Sequence, residues 1–334
     1  MPGIKKTLSS QRPSRRRVLQ GAAATTGVLA APMIMTRAAF ADAPMLGAGH
    51  GGYHRLALGG FEVTSISDGA TTFENPQSVF GTDQTVETVS ELLTEENLPT
   101  DKMVIGFTPV VVNTGSELVL FDTGLGAGAR EGGMGKLRET LGTAGYTPEQ
   151  IDVVVITHMH PDHIGGLMED GAPAFANARY VTGQAEFDFW SAEERMTGPT
   201  EGVAKQVNSN VKPLAENFTF IDGGTDVVSG ITSIAAFGHT PGHMAYNIES
   251  DGKRLVLVAD AANHYVLSLQ KPDWEVRFDI DKAAAAAARK ELFGMIAADG
   301  VPFIGYHMPF PSVGYVEPMD GGFRYSPETY QLDL

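Results

Sequence analysis

Three histidines and one aspartate stand within six positions of the segment VVVITHMHPDHIGG, residues 153–166. The chain has nine histidines in total, so a third of them are concentrated here. His158 and His160 are two positions apart, which in an extended segment turns both imidazoles to the same face. A proline then turns the chain, so that Asp162 and His163 can face a second position. Imidazole and carboxylate groups at this spacing indicate a site for divalent transition metals.

Further candidate ligands follow other predicted strands. His243 comes after one apolar segment, Asp260 ends another, and His307 ends a third. In α/β folds, ligands gather in the crevice beyond the carboxyl ends of the strands. We therefore expect all seven side chains to meet at one edge of the sheets.

The elements that must position these residues alternate along the chain, which predicts the α/β class. Apolar and β-branched segments predict strands at 59–69, 108–124, 151–157, 178–183, 231–238, 253–260 and 301–307. Helical patterns cover about 83–96, 131–145, 184–196 and 281–298. Gly165 and Gly166, which end the segment that carries the three histidines, leave room for backbone to pass close to the site.

Four segments carry a family resemblance: THMHPDHIGG, GHTPGH (238–243), LVLVAD (255–260) and GYHMP (305–309). They resemble the successive metal-binding motifs of the metallo-β-lactamase superfamily. GYHRLALGGFEVTSISDG, VVNTGSELVLFDTG, EFDFW and GFRYSPETY further resemble the methyl parathion hydrolase group, which includes lactone and aryl-ester hydrolases. The resemblance implies a four-layer αβ/βα sandwich, formed by one domain over residues 42–334.

The same resemblance implies a ligand set for two divalent ions. His158, His160 and His243 would hold the first ion, and Asp162, His163 and His307 the second. Asp260 would bridge both ions and act in catalysis by passing on a proton. Zinc is the preferred metal, with manganese, iron or cobalt as alternatives.

Five residues near these motifs receive supporting roles. Asp122 in FDTG is predicted to orient a ligand histidine, although turn chemistry alone also selects Asp before Gly. His239 is interpreted as a hydrogen-bonded support rather than a ligand. Trp190 is a candidate wall of an apolar substrate pocket, with helix packing as the alternative, and His264 and Tyr265 are expected to line the mouth.

Residues 1–41 follow different rules from the rest of the chain. A basic start, a weakly apolar middle and the small residues Ala39 and Ala41 are typical of a secretory signal peptide. SRRRVL (14–19) resembles the twin-arginine export signal. We therefore expect export to the periplasm or medium, with no stable membrane anchor after cleavage.

Charge and cysteine content exclude several classes of function. Residues 1–41 hold seven of the 24 Lys and Arg residues and no acid, so the remaining chain carries a net charge of −23. Such a surface repels phosphate backbones, which argues against a nucleic-acid partner. The absence of cysteine excludes disulfides, thiolate ligands and a thiol nucleophile.

These features together predict an exported dinuclear-metal hydrolase that uses a metal-bound hydroxide on a neutral, largely apolar lactone or aryl ester. Phosphotriester hydrolysis, as in methyl parathion hydrolase, is the alternative, and a non-catalytic exported metal-binding protein is a third interpretation. The expected partner is a small-molecule substrate, and the sequence does not decide between a monomer and a homodimer.

Overall fold

Two seven-stranded sheets form the centre of the fold, which is described here from a computed structural model covering residues 51–330 and 332–334. The first sheet has the order β1-β2-β5-β6-β7-β10-β11. Its strands are β1 (Tyr53–Leu58), β2 (Phe61–Ile66), β5 (Val110–Asn113), β6 (Leu118–Phe121), β7 (Val153–Ile156), β10 (Arg179–Gly183) and β11 (Phe218–Ile221). The strands from β6 to β11 pair in parallel, and the earlier ones are antiparallel.

The second sheet runs in chain order and is mostly antiparallel, with one parallel pair between its fourth and fifth strands. Its strands are β12 (Asp226–Val228), β13 (Ile231–Ala235), β14 (Met244–Ser250), β15 (Lys253–Ala259), β16 (Phe303–Gly305), β17 (Val313–Met319) and β18 (Gly322–Pro327). Two small two-stranded antiparallel sheets complete the strands: β3 (Gly69–Glu74) with β4 (Lys102–Phe107), and the hairpin of β8 (Met168–Glu169) with β9 (Ala172–Pro173).

Helices cover the outer faces of the sheets. The α-helices are α1 (Val86–Glu95), α2 (Leu137–Ala144), α3 (Pro161–Ile164), α4 (Gln184–Ser191), α5 (Glu201–Gln206) and α6 (Lys282–Asp299). A π-helical turn spans Val207–Val211, and 3-10 turns occupy Pro76–Ser78, Ala127–Gly132, Pro148–Gln150, Glu193–Met196, Gly198–Thr200 and Lys212–Asn217. No helix within the described residues is long and apolar enough to cross a lipid bilayer.

Successive side chains along a strand point into two different layers of the hydrophobic core. Val153 and Val155 of β7 face the core between the sheets, whereas Val154 and Ile156 face the helices that cover the first sheet. Leu292 and Phe293 of α6 pack on the outer face of the second sheet. Burial of apolar residues on both faces of each sheet explains the continuous apolar runs in the sequence. The predicted four-layer αβ/βα sandwich is confirmed.

The predicted strands are mostly present, but several element boundaries differ. The 108–124 segment forms two strands joined by a turn, and the helix expected at 131–145 begins only at Leu137. The helical region between residues 201 and 217 and the hairpin of β17 and β18 have no counterpart among the predicted elements. The predicted signal peptide at 1–41 and the predicted domain start at 42 lie outside the described residues.

Candidate metal centre

The histidine segment lies between the carboxyl end of β7 and the short helix α3. His158 Nε2 and His160 Nδ1 are 3.1 Å apart, as expected for two imidazoles on one face of an extended segment. Asp162 and His163 lie on α3, where Asp162 Oδ2 is 3.5 Å from His163 Nε2. One short segment therefore supplies ligand atoms to two neighbouring positions.

Close backbone contact explains the two glycines that follow this segment. A Cβ on Gly165 would lie 2.4 Å from the carbonyl oxygen of Leu125, and one on Gly166 would lie 2.1 Å from that of Thr123. No side chain fits at such distances, so the loop after β6 can pack on the end of α3 only because both residues are glycine. This confirms the role predicted for the pair.

Asp260 follows an irregularity at the end of β15. The pairing of β15 with β16 shifts register between Leu257 and Ala259, and Ala259 has a φ of 45°. A non-glycine residue in this region is strained and persists only where the surrounding structure holds it. The kink brings Asp260 Oδ1 to 3.4 Å from His163 Nε2, and Asp260 Oδ2 to 3.4 Å from His239 Nε2.

The first ligand cluster consists of His158, His160, His239 and Asp260, whose candidate ligand atoms all lie within 4.8 Å of one another. His239 Nε2 is 2.9 Å from His160 Nδ1. This corrects the sequence prediction, in which His243 was the ligand and His239 its support.

His243 already uses both of its ring nitrogens within the protein. Its Nδ1 donates to the carbonyl oxygen of Ala236 at 3.0 Å, and its Nε2 accepts from the backbone N–H of Asp260 at 3.1 Å. No lone pair is left for a metal, so His243 positions Asp260 instead. The two histidines exchange the roles that the sequence suggested for them.

The second cluster consists of Asp162, His163 and His307, as predicted. His307 Nε2 is 3.4 Å from Asp162 Oδ2 and 3.1 Å from Asp260 Oδ2, while its Nδ1 donates to the carbonyl oxygen of Gly106 at 2.9 Å. Asp260 therefore contacts residues of both clusters, which is the geometry expected of a bridging carboxylate.

The side chains present fit two divalent ions. Four ligands arranged tetrahedrally at zinc bond lengths are separated by roughly 3.3 Å. The distances given above, 2.9 and 3.1 Å in the first cluster and 3.4 and 3.5 Å in the second, fall around that value. His163 Nε2 and Asp260 Oδ1 are buried and lack any hydrogen-bond partner in the described residues. Buried polar atoms rarely stay unpaired, so these two atoms fit a cation bound between them.

Electrostatics at the two clusters favour the same interpretation. The pKa of His158 lies well below its usual value, mainly because the ring is buried and secondly because His163 is close. The pKa of His160 is lowered in the same way, by burial first and then by His239. Burial lowers the pKa of His163 too, but the surrounding carboxylates, Asp122 first, outweigh it and raise the pKa well above its usual value. The first cluster thus offers neutral imidazoles, and the second attracts positive charge.

Carboxylates orient one histidine in each cluster. Asp122 Oδ2 accepts from His163 Nδ1 at 2.8 Å, and Thr157 holds Asp122 through its backbone N–H and hydroxyl. Asp279 Oδ1 accepts from His239 Nδ1 at 2.8 Å, and the buried Arg289 donates to Asp279 Oδ2 at 3.1 Å. Such contacts fix the tautomer so that the opposite ring nitrogen faces the metal position. The predicted arrangement around Asp122 is present, and Asp279 makes the equivalent contact to His239 without having been predicted.

Glu186 accepts hydrogen bonds from both loops that carry ligand histidines, the one after β7 and the one before β14. Its Oε1 accepts from the backbone N–H of Met159 and from the indole of Trp190, both at 2.8 Å. Its Oε2 accepts from the Thr240 hydroxyl at 2.7 Å and from the backbone N–H of Gly242 at 2.9 Å. Burial raises the pKa of Glu186, and these four donors oppose that rise. One buried carboxylate thereby sets the distance between the His158–His160 segment and the loop that carries His239.

A cavity of about 370 Å³ opens beside both clusters. His160, Asp162, Asp260 and His307 form its metal-facing side. The rest of the lining is apolar except for Asn263 and consists of Phe73, Phe80, Ile105, Phe107, Leu125, Pro161, Val203 and Phe278. The volume falls in the range typical of small-molecule sites.

None of the three residues proposed for substrate contact lines this cavity directly. Trp190 is 2 % exposed and packs in the helix-covered core of the first sheet, so the structure places it outside the cavity wall. Its indole N–H is used by Glu186, which supports the packing alternative. His264 and Tyr265 line a second cavity of about 310 Å³, which shares Ile105, Phe107 and His307 with the first.

Sequence reasoning missed the aromatic wall, Asn263, Glu186, Asp279 and Arg289. The Phe residues of the wall come from segments far apart in the chain, so no local pattern groups them. Glu186 and Arg289 are charged residues in helices, where a surface position is the ordinary expectation. For Asn263 a signal existed, since it stands three residues after Asp260 in the loop that begins at a predicted ligand.

The fold and the site together define a two-metal centre at one edge of an αβ/βα sandwich. The family model described as the metallo-beta-lactamase superfamily matches residues 108–296, which include all the cluster residues except His307. The chain belongs to the metallo-beta-lactamase superfamily.

Individual relatives narrow the comparison. The chain is 30% identical over 124 residues to an N-acyl homoserine lactonase of Bacillus cereus, covering 37% of this chain and 43% of that protein. It is 28% identical over 149 residues to an N-acyl homoserine lactonase of a Bacillus species, covering 45% and 53%. The chain therefore spans about half the length of the curated relatives it matches.

Two solved structures match over most of both chains. AidC, a dizinc quorum-quenching lactonase in complex with a product, has a TM-score of 0.76 and 27% identity, covering 84% of this chain and 98% of that one. The hydrolase AbOPH of the beta lactamase superfamily has a TM-score of 0.77 and 26% identity, covering 85% and 99%.

Proposed function

We propose that the protein is a dinuclear metal-dependent hydrolase of lactones, with N-acyl homoserine lactones as the substrate class. The observation that carries the proposal is Asp260, which contacts both ligand clusters at the base of a mostly apolar cavity. The names of the relatives support the lactone in particular, because those relatives are N-acyl homoserine lactonases and AidC is a dizinc lactonase.

Two divalent ions, zinc by analogy with the dizinc AidC, would supply Lewis-acid polarisation of the ester carbonyl and lower the pKa of a nucleophilic water. His158, His160 and His239 would hold one ion, and Asp162, His163 and His307 the other, with Asp260 between them. Asp260 also borders the cavity, so its carboxylate is placed to receive a proton and pass it to the leaving alkoxide. Asp122 and Asp279 keep the ligand histidines oriented throughout.

The cavity wall favours a neutral substrate with an apolar part. Phe73, Phe80, Phe107 and Phe278 present aromatic surface to the cavity, and no Lys or Arg is found among the described residues that line it. A carboxylate or phosphate group would find no counter-charge there except the metal ions themselves. An acyl chain, in contrast, would lose water on entering, which stabilises the complex by about 0.8 kcal/mol per buried CH₂.

A turnover assay with and without metal tests the proposal. We expect the purified protein to hydrolyse N-hexanoyl homoserine lactone, to lose activity on chelation and to regain it with Zn²⁺. An aryl ester and a phosphotriester in the same panel test the other ester substrates that the sequence left open. A preference for the phosphotriester would replace the lactonase proposal, and binding of two ions without any turnover would favour the metal-binding protein.

Export is a separate proposal, which rests on the sequence of residues 1–41 alone. The Arg15→Lys, Arg16→Lys double variant should leave the protein inside the cell, because the twin-arginine route requires that pair. Cell fractionation of the variant beside the wild type measures this. Undiminished mature protein outside the cytoplasm would exclude the route.

A further inference from the structure

Asn263 differs in kind from every other residue that lines the main cavity. The polar lining residues apart from Asn263 are His160, Asp162, Asp260 and His307, all of which are candidate metal ligands. The remaining lining residues are apolar. Asn263 is therefore the one polar side chain among the described lining residues that could bind a substrate group not held by the metals.

The orientation of the Asn263 amide follows from its neighbour. Asn263 Nδ2 donates to Asp260 Oδ2 at 2.9 Å, and a carboxylate oxygen can only accept, so the nitrogen and oxygen positions are fixed. The other end, Asn263 Oδ1, is buried and has no hydrogen-bond partner among the described residues, in a side chain that is 3 % exposed. Because an unpaired buried carbonyl is costly, this oxygen requires a donor.

A lactone ring by itself cannot supply that donor, since its ring oxygen and carbonyl oxygen only accept. Aryl esters and phosphotriesters without further groups have the same deficiency. An acylamino group on the carbon next to the lactone carbonyl does carry an N–H, close to the bond that is cleaved. We propose that Asn263 is the specificity-determining residue of this site and selects lactones that carry an amide N–H, which its Oδ1 accepts. This inference rests on the proposed lactonase function.

A matched pair of substrates tests it. N-hexanoyl homoserine lactone is compared with the analogue in which CH₂ replaces the amide N–H, on the wild type and on Asn263→Leu. The wild type should prefer the N–H substrate in kcat/KM by about tenfold to a hundredfold, because the analogue leaves Asn263 Oδ1 unpaired. Asn263→Leu should bring that preference close to one.

The ratio of the two substrates separates recognition from damage to the metal centre. Loss of the contact to Asp260 in Asn263→Leu lowers turnover of both substrates alike, and metal analysis of the variant reports any loss of ions. Val203→Ala is the matched control, since it enlarges the same wall without touching a polar group and should keep the wild-type preference. A preference that is absent in the wild type, or that persists in Asn263→Leu, would overturn the inference.

Failure of the proposed function gives a different result. In that case the two-metal protein hydrolyses neither lactone. Calorimetric measurement of the binding of the two ring-opened products then tests whether Asn263 recognises the amide N–H, without any turnover. Tighter binding of N-hexanoyl homoserine than of its CH₂ analogue, lost in Asn263→Leu, supports the inference. Equal binding of both products to the wild type rejects it.

Discussion

His239 Nε2 lies 2.9 Å from His160 Nδ1, although the two residues are 79 positions apart in the chain. This contact places His239 in the first ligand cluster and leaves His243, four residues later, to hold the backbone of Asp260. The two histidines of GHTPGH therefore differ in function, and the following substitution distinguishes them.

His239→Ala should reduce the metal content to about one ion per chain and lower kcat by roughly 10²-fold or more. His243→Ala should keep two ions under metal-replete conditions, with affinity weakened roughly 10- to 100-fold because only the support of Asp260 is lost. Elemental analysis together with lactone turnover measures both. A variant pair in which His243→Ala loses the ion and His239→Ala keeps it would restore the assignment made from the sequence.

Replacement of Asp260 should affect both ions at once. Its Oδ2 lies near His239 of the first cluster and His307 of the second, and its Oδ1 lies near His163 of the second. Asp260→Ala should therefore lower the occupancy of both sites and abolish turnover. Asp260→Asn keeps the shape but loses the charge, and kcat should fall by roughly 10²-fold or more. Asp273→Asn, an exposed aspartate bound to Lys290, is the control. Near-wild-type turnover of Asp260→Asn would contradict a bridging role.

Asp122 and Asp279 should act on different ions, because each binds the Nδ1 of a histidine in a different cluster. Asp122→Asn and Asp279→Asn should each weaken the binding of one ion by roughly 10- to 100-fold. Chelator competition measures the affinities. In a double-mutant cycle, Asp279→Asn should cause little further loss of metal affinity in the His239→Ala background. In the His163→Ala background it should cause the same loss as in the wild type. Additive effects in both backgrounds would argue against the pairing.

Glu186→Gln should destabilise the metal-free protein by at least about 2 kcal/mol, because an amide turns its own N–H groups towards buried donors. The four groups that donate to Glu186 leave no acceptor for that amide. Denaturant unfolding measures the loss, with Glu194→Gln on the exposed Glu193–Met196 turn as the control. Equal stability of Glu186→Gln and the control would show that the carboxylate does not join the two loops.

Protonation of His264 should lower the free energy of unfolding at acidic pH. Burial lowers the pKa of His264 to about 4, and its Nδ1 accepts from the backbone N–H groups of Val266 and Leu267. The folded-state pKa lies below the unfolded value near 6.5, so this contribution is complete above pH 6.5 and is lost as pH falls towards 4. The total is up to about 3 kcal/mol.

His264→Asn keeps an acceptor near the same position but does not titrate in this range. The difference in unfolding free energy between the wild type and His264→Asn should therefore shrink from pH 7 to pH 4, with both proteins metal-free. A difference that stays constant over this range would mean that His264 is protonated or exposed in the folded protein.

The sequence by itself determined the ligands whose positions depend on local geometry. His158 and His160 face one side because an extended segment repeats every two residues, and Asp162 and His163 follow on one short helix turn. Asp260 and His307 come after buried strands, so the sheet edge brings them together whatever the loops do. The alternation of apolar strands and helices likewise predicted the α/β class, whereas the four-layer sandwich was implied by the family resemblance.

Only the tertiary structure decided between His239 and His243. Both stand in one Gly- and Pro-containing loop, where the direction of each imidazole depends on groups far away in the chain: Asp279 binds one ring, and the carbonyl of Ala236 binds the other. The cavity wall, Glu186 and Asn263 were inaccessible for the same reason. Their roles arise from contacts between segments that pack together in space, and such contacts leave no periodic pattern in the sequence.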